Sequence, residues 1–577
     1  MWSTTMTSVT QATITHGQSA LSMLADHRFL TLWHSLYDAC PHATVFQSPN
    51  FVRTWYETYQ SEWQPVIVES RDSNGDLIGL WLLAHNPLSN TLAHAGTHQA
   101  EYHTWLASPG HDISFLSNAW DALNRHFTVP MLRFKYLPTR ALGEILRAAL
   151  GNRSGGITLR THGRPLMNLI PEDIKASFGK KSNKSRFSRL RKLGKLEFRC
   201  LRTAAELEAV LDDLIVYYDF RQSAINHSAP FREDPRKRVF HNRLFHAMPD
   251  GRYVTATYLD EHPIAAFWGS ASQKTVHLGM LIHSPFLAEH SPGKLHIMQL
   301  SEYLLEQGIT VLDLTPGGDS WKERFANAHD EVAEAVVYGS TWTHIRAVVT
   351  ESLLRRGKQL VSLAGIQPTA VKTFLETFRR ARPGSAIRKL NNWYNARREF
   401  RIYRGDRLLS ERFFSDNRIH CNSLSDLLSF EPGEPWQTRD SFLSSALARL
   451  EQGEFVYTIE IGNRLAHCGW MVKHQATSYM TEVKQSMAFP PGSVALYDYY
   501  TPPCYRGQGL YRATIGHMLH AAFADGQIQY AYISVLADNL PSLHVIESMG
   551  FEYQGSLFWE CRFGRERTWS HPPLEQG

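Results

Sequence analysis

Two rhythms of apolar and polar positions run through the 577-residue chain. Short runs that alternate or stay apolar between turn residues predict strands, and apolar residues three and four apart predict helices. Residues 66–69 and 77–83 form one predicted strand pair, hinged on Asn74-Gly75, after a helix that Ser48-Pro49 starts. Residues 253–258 and 263–268 form a second pair; a helix over about 294–306, ended by Gly308, and a strand over 309–314 follow it. A third pair, 455–461 and 465–472, turns through Gly462-Asn463 and leads to a strand over 494–500. The next helix buries Tyr511, Ile515, Met518, Leu519 and Ala522, a strand follows at 530–535, and a last helix is capped by Asn539 and closed by Gly550. The order strand pair, helix, strand therefore occurs twice, the pattern a distant duplication leaves.

These elements predict an α/β (α+β) chain of mixed central sheets flanked by helices. Its stretches are an amino-terminal segment 1–42, α/β regions 43–160 and 161–345, a basic helical connector 346–399 broken at Pro368 and Pro383-Gly384, and a last α/β region 400–577. With 43% hydrophobic and 12% aromatic residues the chain can fill several packed cores, which excludes a disordered or fibrous protein. Its six cysteines have no C-x-x-C or Cys/His ligand spacing, so no disulfide framework and no metal is expected, and a reducing compartment, the cytoplasm, fits best. His241 and His246 read as a helix surface rather than a ligand pair. The first 27 residues lack an apolar signal core, and the longest apolar run, 77–84, is far too short for a transmembrane segment.

Charge changes the picture. A net +5, from 60 Lys+Arg against 55 Asp+Glu, excludes a surface that is basic throughout. Yet 175–202 holds eleven Lys/Arg against one Glu and 346–398 twelve against two, so each stretch carries +10 on an otherwise acidic chain. In the first stretch Phe187, Leu190 and Leu193 recur every three residues as a narrow inward seam, leaving the cations outside. No aromatic platform is interleaved with them, so a small anionic acceptor, such as a nucleotide-linked sugar or a phospholipid, suits the stretch better than long RNA.

The strongest chemical signal is Arg506-Gly507-Gln508-Gly509-Leu510, a glycine-bearing turn between an aromatic strand and a helix. Free amides and the positive end of the helix dipole make such a turn a pyrophosphate site, although a tight β-to-α connection uses the same glycines. The next helix tips the balance: beyond the strand at 530–535 comes Asn539-x-x-Ser542, and seven residues on Gly550-Phe551. Over 400–569 this order resembles the GNAT N-acetyltransferase superfamily. The resemblance implies acetyl-CoA or another acyl-CoA as cosubstrate, with Arg506, Gly507, Gln508, Gly509, Leu510 and Tyr511 around its pyrophosphate. It also implies Tyr500 and Thr501 as the edge that meets the pantetheine, and Asn539 near the sulfur. Two positions depart from the family pattern: Tyr511 replaces a third small residue, and Ile546 stands where many members carry the tyrosine that protonates the departing thiolate. His544 and Tyr553 are the candidate replacements, and Asp498 and Glu482 the nearest carboxylates to take a proton from an amine.

In 161–345, Ser291-Pro292-Gly293 opens a helix, and Asp313-Leu-Thr-Pro-Gly-Gly-Asp319-Ser-Trp321-Lys322-Glu-Arg324 follows a strand. With Phe46-Gln-Ser-Pro49 and Arg189-Leu-Arg-Lys-Leu-Gly194, these residues resemble the cellulose-biosynthesis (CelD-like) acetyltransferases, relatives of the Fem peptidoglycan aminoacyltransferases, over 43–345. That resemblance implies tandem GNAT-like lobes and substrate contacts at Ser291, Gly293, Asp313, Asp319, Lys322 and Arg324, with Trp321 in place of the usual tyrosine. The expected activity is acyl-CoA-dependent transfer of an acetyl or acyl group to an amine or hydroxyl on a polysaccharide precursor, lipid or metabolite. Two other classes stand beside it: Fem-like aminoacyl transfer from charged tRNA, which the basic 175–202 suits electrostatically, and a non-catalytic scaffold of GNAT-like lobes, favoured by Ile546 and Tyr511.

Overall fold

A computed structural model describes residues 11–249, 251–363 and 395–572, and the chain divides into two units. The first comprises Met1–Leu214, Pro230–His283 and His290–Ala364; the second comprises Ile215–Ala229, Ser284–Glu289 and Gly365–Gly577.

The first unit starts earlier than its hydrophobic pattern indicated. Thr13–His16 is an edge strand of a five-stranded antiparallel sheet, paired with Gln64–Arg71, and the helix His27–Ala39 buries Phe29, Trp33 and Leu36. From Thr13 on, the stretch 1–42 is thus part of a core. Ser48 accepts the Phe51 amide at 3.4 Å and caps the helix Pro49–Tyr59, with Pro49 in the first turn where no amide is required. Alternate residues of the sheet face two cores, one built on Trp33 and Trp55, the other on Trp81, Trp105 and Trp120.

An eight-stranded sheet completes this unit. Its order is Met131–Leu137, Ala328–Tyr338, Gly156–Asn168, Val311–Asp313, Thr275–His283, His262–Ser272, Arg252–Leu259 and Leu196–Cys200. Met131–Leu137 pairs with Ala328–Tyr338, and Gly156–Asn168 straddles residue 160, so a boundary there cuts through one hydrogen-bonded sheet. Every neighbouring pair is antiparallel except Thr275–His283 with Val311–Asp313, which the helix Pro292–Glu306 joins, as parallel strands require a crossover. The basic stretch is a helix, Lys181–Leu193, whose inward residues are Asn183, Phe187 and Leu190, while Leu193, expected in the seam, is exposed. A strict three-residue repeat drifts off a 3.6-residue face; Asn183 takes the place instead, donating its side-chain amide to the Ser177 carbonyl at 2.8 Å.

The second unit repeats the scheme. Its sheet runs His420–Cys421, Phe455–Ile461, Arg464–Val472, Ser493–Tyr500, Tyr530–Leu536, Asn395–Gly405, Glu552–Arg562 and Arg565–His571. Again one pair is parallel, Ser493–Tyr500 with Tyr530–Leu536, joined by the helix Leu510–Phe523. Ile515, Met518, Leu519 and Ala522 are buried against Leu496, Ile533 and Ile546, the face expected from their spacing, with Tyr511 only partly covered. The helix Thr341–Leu363 opens the connector, and the breaks expected at Pro368 and Pro383-Gly384 lie outside the described residues. Among the described residues no helix is long and apolar enough to cross a membrane, and no His/Cys/Asp/Glu group is arranged to hold a metal.

Candidate functional site

Ser493–Tyr500 and Tyr530–Leu536 pair from Ser493↔Tyr530 to Leu496↔Ile533 and no further. Past that point Tyr497, Asp498 and Tyr499 on one side and Ser534, Val535 and Leu536 on the other line a cavity of about 520 Å³. On its other edge the first of these strands meets Arg464–Val472 through a bulge: Trp470 pairs with Tyr497 and Cys468 with Tyr500, and Asp498 between them has φ 48°. Gly469 lies opposite, where a Cβ would stand 2.4 Å from the Tyr499 ring.

The strand leads into the glycine turn. Gly507 and Gly509 have φ of 78° and 74°, and nothing lies within 4 Å of a Cβ at either, so backbone conformation and not crowding demands glycine. Gly509 caps the helix Leu510–Phe523 without a side-chain cap, and the first amide to bond back is that of Ala513, to the Gly509 carbonyl at 3.0 Å. Among the described residues nothing accepts from the amides of 507–512. They form a row of donors at the positive end of a 14-residue helix. Arg506 is held beside them by Glu434 at 2.8 Å and by the Thr501 carbonyl at 3.1 Å.

Tyr511 lines the cavity with its hydroxyl beside Ser542, and burial raises its pKa above the ordinary tyrosine value. Asn539 lines it as well and caps the next helix, its Oδ1 accepting the Ser542 amide at 3.4 Å. Tyr500 and Thr501 lie beyond the opening: Tyr500 packs on Phe430, and Thr501 Oγ1 is 2.8 Å from His467 Nδ1. The open edge is 497–499, because the parallel ladder stops at Leu496 and the bulge advances the register. The structure does not bring His544 or Tyr553 to the cavity: His544 is exposed, and the Tyr553 hydroxyl is 2.8 Å from Ser556 Oγ on its own strand. Ile546 is wholly buried in the core.

Three carboxylates line the same cavity. Asp498 is ion-paired with Arg449 at 2.6 Å, and Arg449 lies over the rings of Trp470 and Tyr497. Glu482 sits at the turn between Thr477–Met480 and Gln485–Ala488, reached by the Thr481 hydroxyl at 3.1 Å. Glu454, which sequence reasoning passed over, is half-buried just ahead of Phe455–Ile461 and accepts the Tyr497 hydroxyl. Burial raises its pKa above the ordinary glutamate value, Asp498 adds to the rise, and Tyr497 and Arg449 only partly oppose it. A carboxyl shifted upward beside a cavity is suited to take a proton near neutral pH. In the sequence its only mark is a glutamate between a glycine and a strand, which is also the mark of a surface residue.

The positions inferred in the first unit divide differently. Asp313 is fully buried and accepts the Tyr102 hydroxyl at 2.7 Å, His277 Nδ1–H at 2.9 Å and the Thr315 amide at 2.8 Å, with Arg164 at 3.4 Å. Burial alone would raise its pKa, but His277, Arg164 and Tyr102 outweigh it and hold the carboxyl below the ordinary value. Asp313, with no exposed surface, is thus held by contacts that fix the fold. Lys322 is also buried, its Nζ donating to the Thr315 and Pro316 carbonyls at 3.1 and 3.3 Å and pairing with Asp319 at 3.2 Å, which closes the loop on itself. Gly293 is buried where a Cβ would stand 2.9 Å from the His283 ring, so it serves close helix–strand packing, while Ser291 starts the helix at φ 54°. What gathers at this helix start is charge: Lys294 lies near Arg186, Lys180 and Arg324, and burial followed by these cations holds its pKa below the ordinary lysine value.

The model described as the acetyltransferase (GNAT) family matches residues 421–551, the part of the second unit that carries the cavity, and the model described as an acetyltransferase (GNAT) domain matches 179–323. Two stretches of the chain thus match GNAT acetyltransferase domains, in tandem. The chain is similar to the crystal structure of FemX, at 10% identity over 55% of this chain and 98% of that one, with a TM-score of 0.37. It is similar to a tandem GNAT protein from the clavulanic acid biosynthesis pathway, at 13% identity over 57% and 98%, with a TM-score of 0.34. A conserved protein of unknown function from Bacteroides thetaiotaomicron is similar at 11% identity over 54% and 97%, with a TM-score of 0.38. No curated protein matches the chain. GNAT domains generally use acyl-CoA, and the residues present fit one: the free amides of 507–512 suit a pyrophosphate, and the unpaired edge 497–499 suits an extended amide-bearing arm.

Proposed function

We propose that this protein is an acyltransferase that moves an acetyl or other acyl group from acyl-CoA to an amine or hydroxyl acceptor in the cavity of its second unit. The observation that carries the reading is the unsatisfied amide row of 507–512 beside a cavity walled by Glu454 and Tyr511. Arg506 and the amides of 507–512 hold the pyrophosphate, and the backbone of 497–499 aligns the pantetheine with Asn539 nearby. The bound cosubstrate supplies an activated acyl group. Glu454 takes the proton of the attacking amine, and Tyr511, with Ser542 beside it, gives one to the departing sulfur. Asp498 is a positioning residue that anchors Arg449 against Tyr497. A positioned acid or base contributes about 10² to 10⁴-fold, so Tyr511 offsets the absence of a tyrosine at Ile546.

Separately from that cavity, the cations around Lys294 in the first unit favour an anionic ligand of their own, such as a nucleotide-linked sugar or a phospholipid. Titration calorimetry of the full chain with acetyl-CoA tests the reading. Wild-type binding that Gly509→Val weakens at least tenfold is expected, and unchanged affinity in that variant would sink it. Thiol release from acetyl-CoA across amines and hydroxyls then separates an enzyme from a scaffold. Tight, length-dependent RNA binding with a steep salt slope would decide for aminoacyl transfer from tRNA.

A further inference from the structure

The first unit encloses a second pocket, of about 200 Å³, at the opposite end of the helix Pro292–Glu306 from Ser291. Fifteen helical residues separate the two ends by about 22 Å. The end of Leu196–Cys200, the start of Arg252–Leu259 and the last turn of the helix bring together Cys200, Arg202, Arg252, Tyr303 and Gln307.

Arg252 is the unusual member. It is 9% exposed, donates Nη1–H to Ser270 Oγ at 2.5 Å and Nη2–H to His241 Nδ1 at 3.0 Å, and its Nε–H finds no acceptor. Both partners are neutral. His241, expected on a helix surface, is turned inward against Phe231, Phe240 and Trp268, and burial followed by the Arg252 charge holds its pKa well below the ordinary value. Burial alone brings the Arg252 pKa down, to about 10, so the group is still charged at neutral pH and no carboxylate among the described residues offsets it. A buried cation without a counter-ion is costly, and a ligand of opposite charge removes that cost.

Arg202 supplies a second cation. Its Nη2 donates to the Tyr303 hydroxyl at 2.9 Å, and among the described residues no acidic side chain lines the pocket. One effect opposes an anion, the negative end of the helix, worth about half a charge. Its last carbonyls already accept the amides of Gln307, Gly308 and Ile309, so two full positive charges prevail.

We propose that this pocket binds a small dianion, a phosphate group or a short dicarboxylate, with Arg252 as the buried cation in its wall and Arg202, Tyr303 and Gln307 around it. The site is separate from the acyl-transfer cavity and stands whatever that cavity carries. Cys200 on its wall is the reporter. In the full chain, alkylation of Cys200 by iodoacetamide is followed by peptide mass spectrometry during titration with inorganic phosphate or malonate, with exposed Cys421 as internal reference. Either anion should slow Cys200 at least fivefold and leave Cys421 unchanged, and slowing by one alone names the ligand's acid group. Arg252→Met and Arg202→Gln should both abolish the protection while acetyl-CoA affinity stays within twofold. Arg202→Gln, at an exposed position, keeps the test open if Arg252→Met does not fold. No protection by either anion, or equal protection in Arg202→Gln, overturns the proposal.

Discussion

At the scale of single residues, the acid–base roles make separable predictions. Glu454→Gln should lower kcat by about 10²-fold or more, because it removes the acceptor of the amine proton. The sign of the pH dependence comes from the raised pKa: the base works deprotonated, so the wild-type rate falls as pH drops through that value, and the Gln variant lacks this acid limb. Tyr511→Phe should cost a similar factor, whereas His544→Ala, at an exposed position away from the cavity, should change kcat less than about threefold. Equal losses at His544 and Tyr511 would remove Tyr511 from its role. Asp313 makes a stability prediction instead. Its folded-state pKa lies below the unfolded value of about 3.9, so its contribution is present above that pH and fades as pH falls further. Asp313→Asn should therefore destabilise the first unit by about 3 to 5 kcal/mol at pH 7, with a gap to wild type that narrows below about pH 4 in thermal unfolding.

At the scale of elements, the bulge at Asp498 and the glycine beneath it act as one device. Gly469→Ala pushes on the Tyr499 ring from a Cβ only 2.4 Å away, so the strand edge 497–499 must move. The expected result is a loss of about 1 to 3 kcal/mol in denaturant unfolding together with weaker acetyl-CoA binding; unfolding without a binding change would mean the edge does not contact the cosubstrate. This level also separates what the sequence revealed from what it hid. The glycine turn, the helix after it and the Asn539 cap were legible because each rests on local backbone chemistry. The point where a ladder ends was not, since Leu496 and Tyr497 differ in nothing local, and so the open edge was expected at Tyr500 and Thr501. Glu454 stayed hidden because only tertiary burial distinguishes it from a surface glutamate. Thr13–His16 was missed because a four-residue strand has too few positions to show alternation. The buried surroundings of Asp313 were hidden because Tyr102 and Arg164 lie 211 and 149 residues away in sequence.

At the scale of the whole molecule, charge is distributed unevenly, and the cations of Lys180, Arg186, Lys294 and Arg324 are brought close although the sequence spreads them over two stretches. Tripolyphosphate binding should weaken at least fivefold in Lys294→Glu, and its salt slope should correspond to only a few charges; a slope unaffected by the substitution would place the anion elsewhere. The second unit holds a consequence of a different kind. Asn395–Gly405 is its earliest described strand, yet it lies inside the sheet, between Tyr530–Leu536 and Glu552–Arg562, partners that come after it by about 130 to 170 residues. At a synthesis rate of about 5 to 20 residues per second, that strand waits on the order of ten seconds for either neighbour. During this interval both of its hydrogen-bonding edges are open to other chains. Nascent chains arrested before residue 552 should thus be cut readily by protease within 395–405, while those released after 572 should resist.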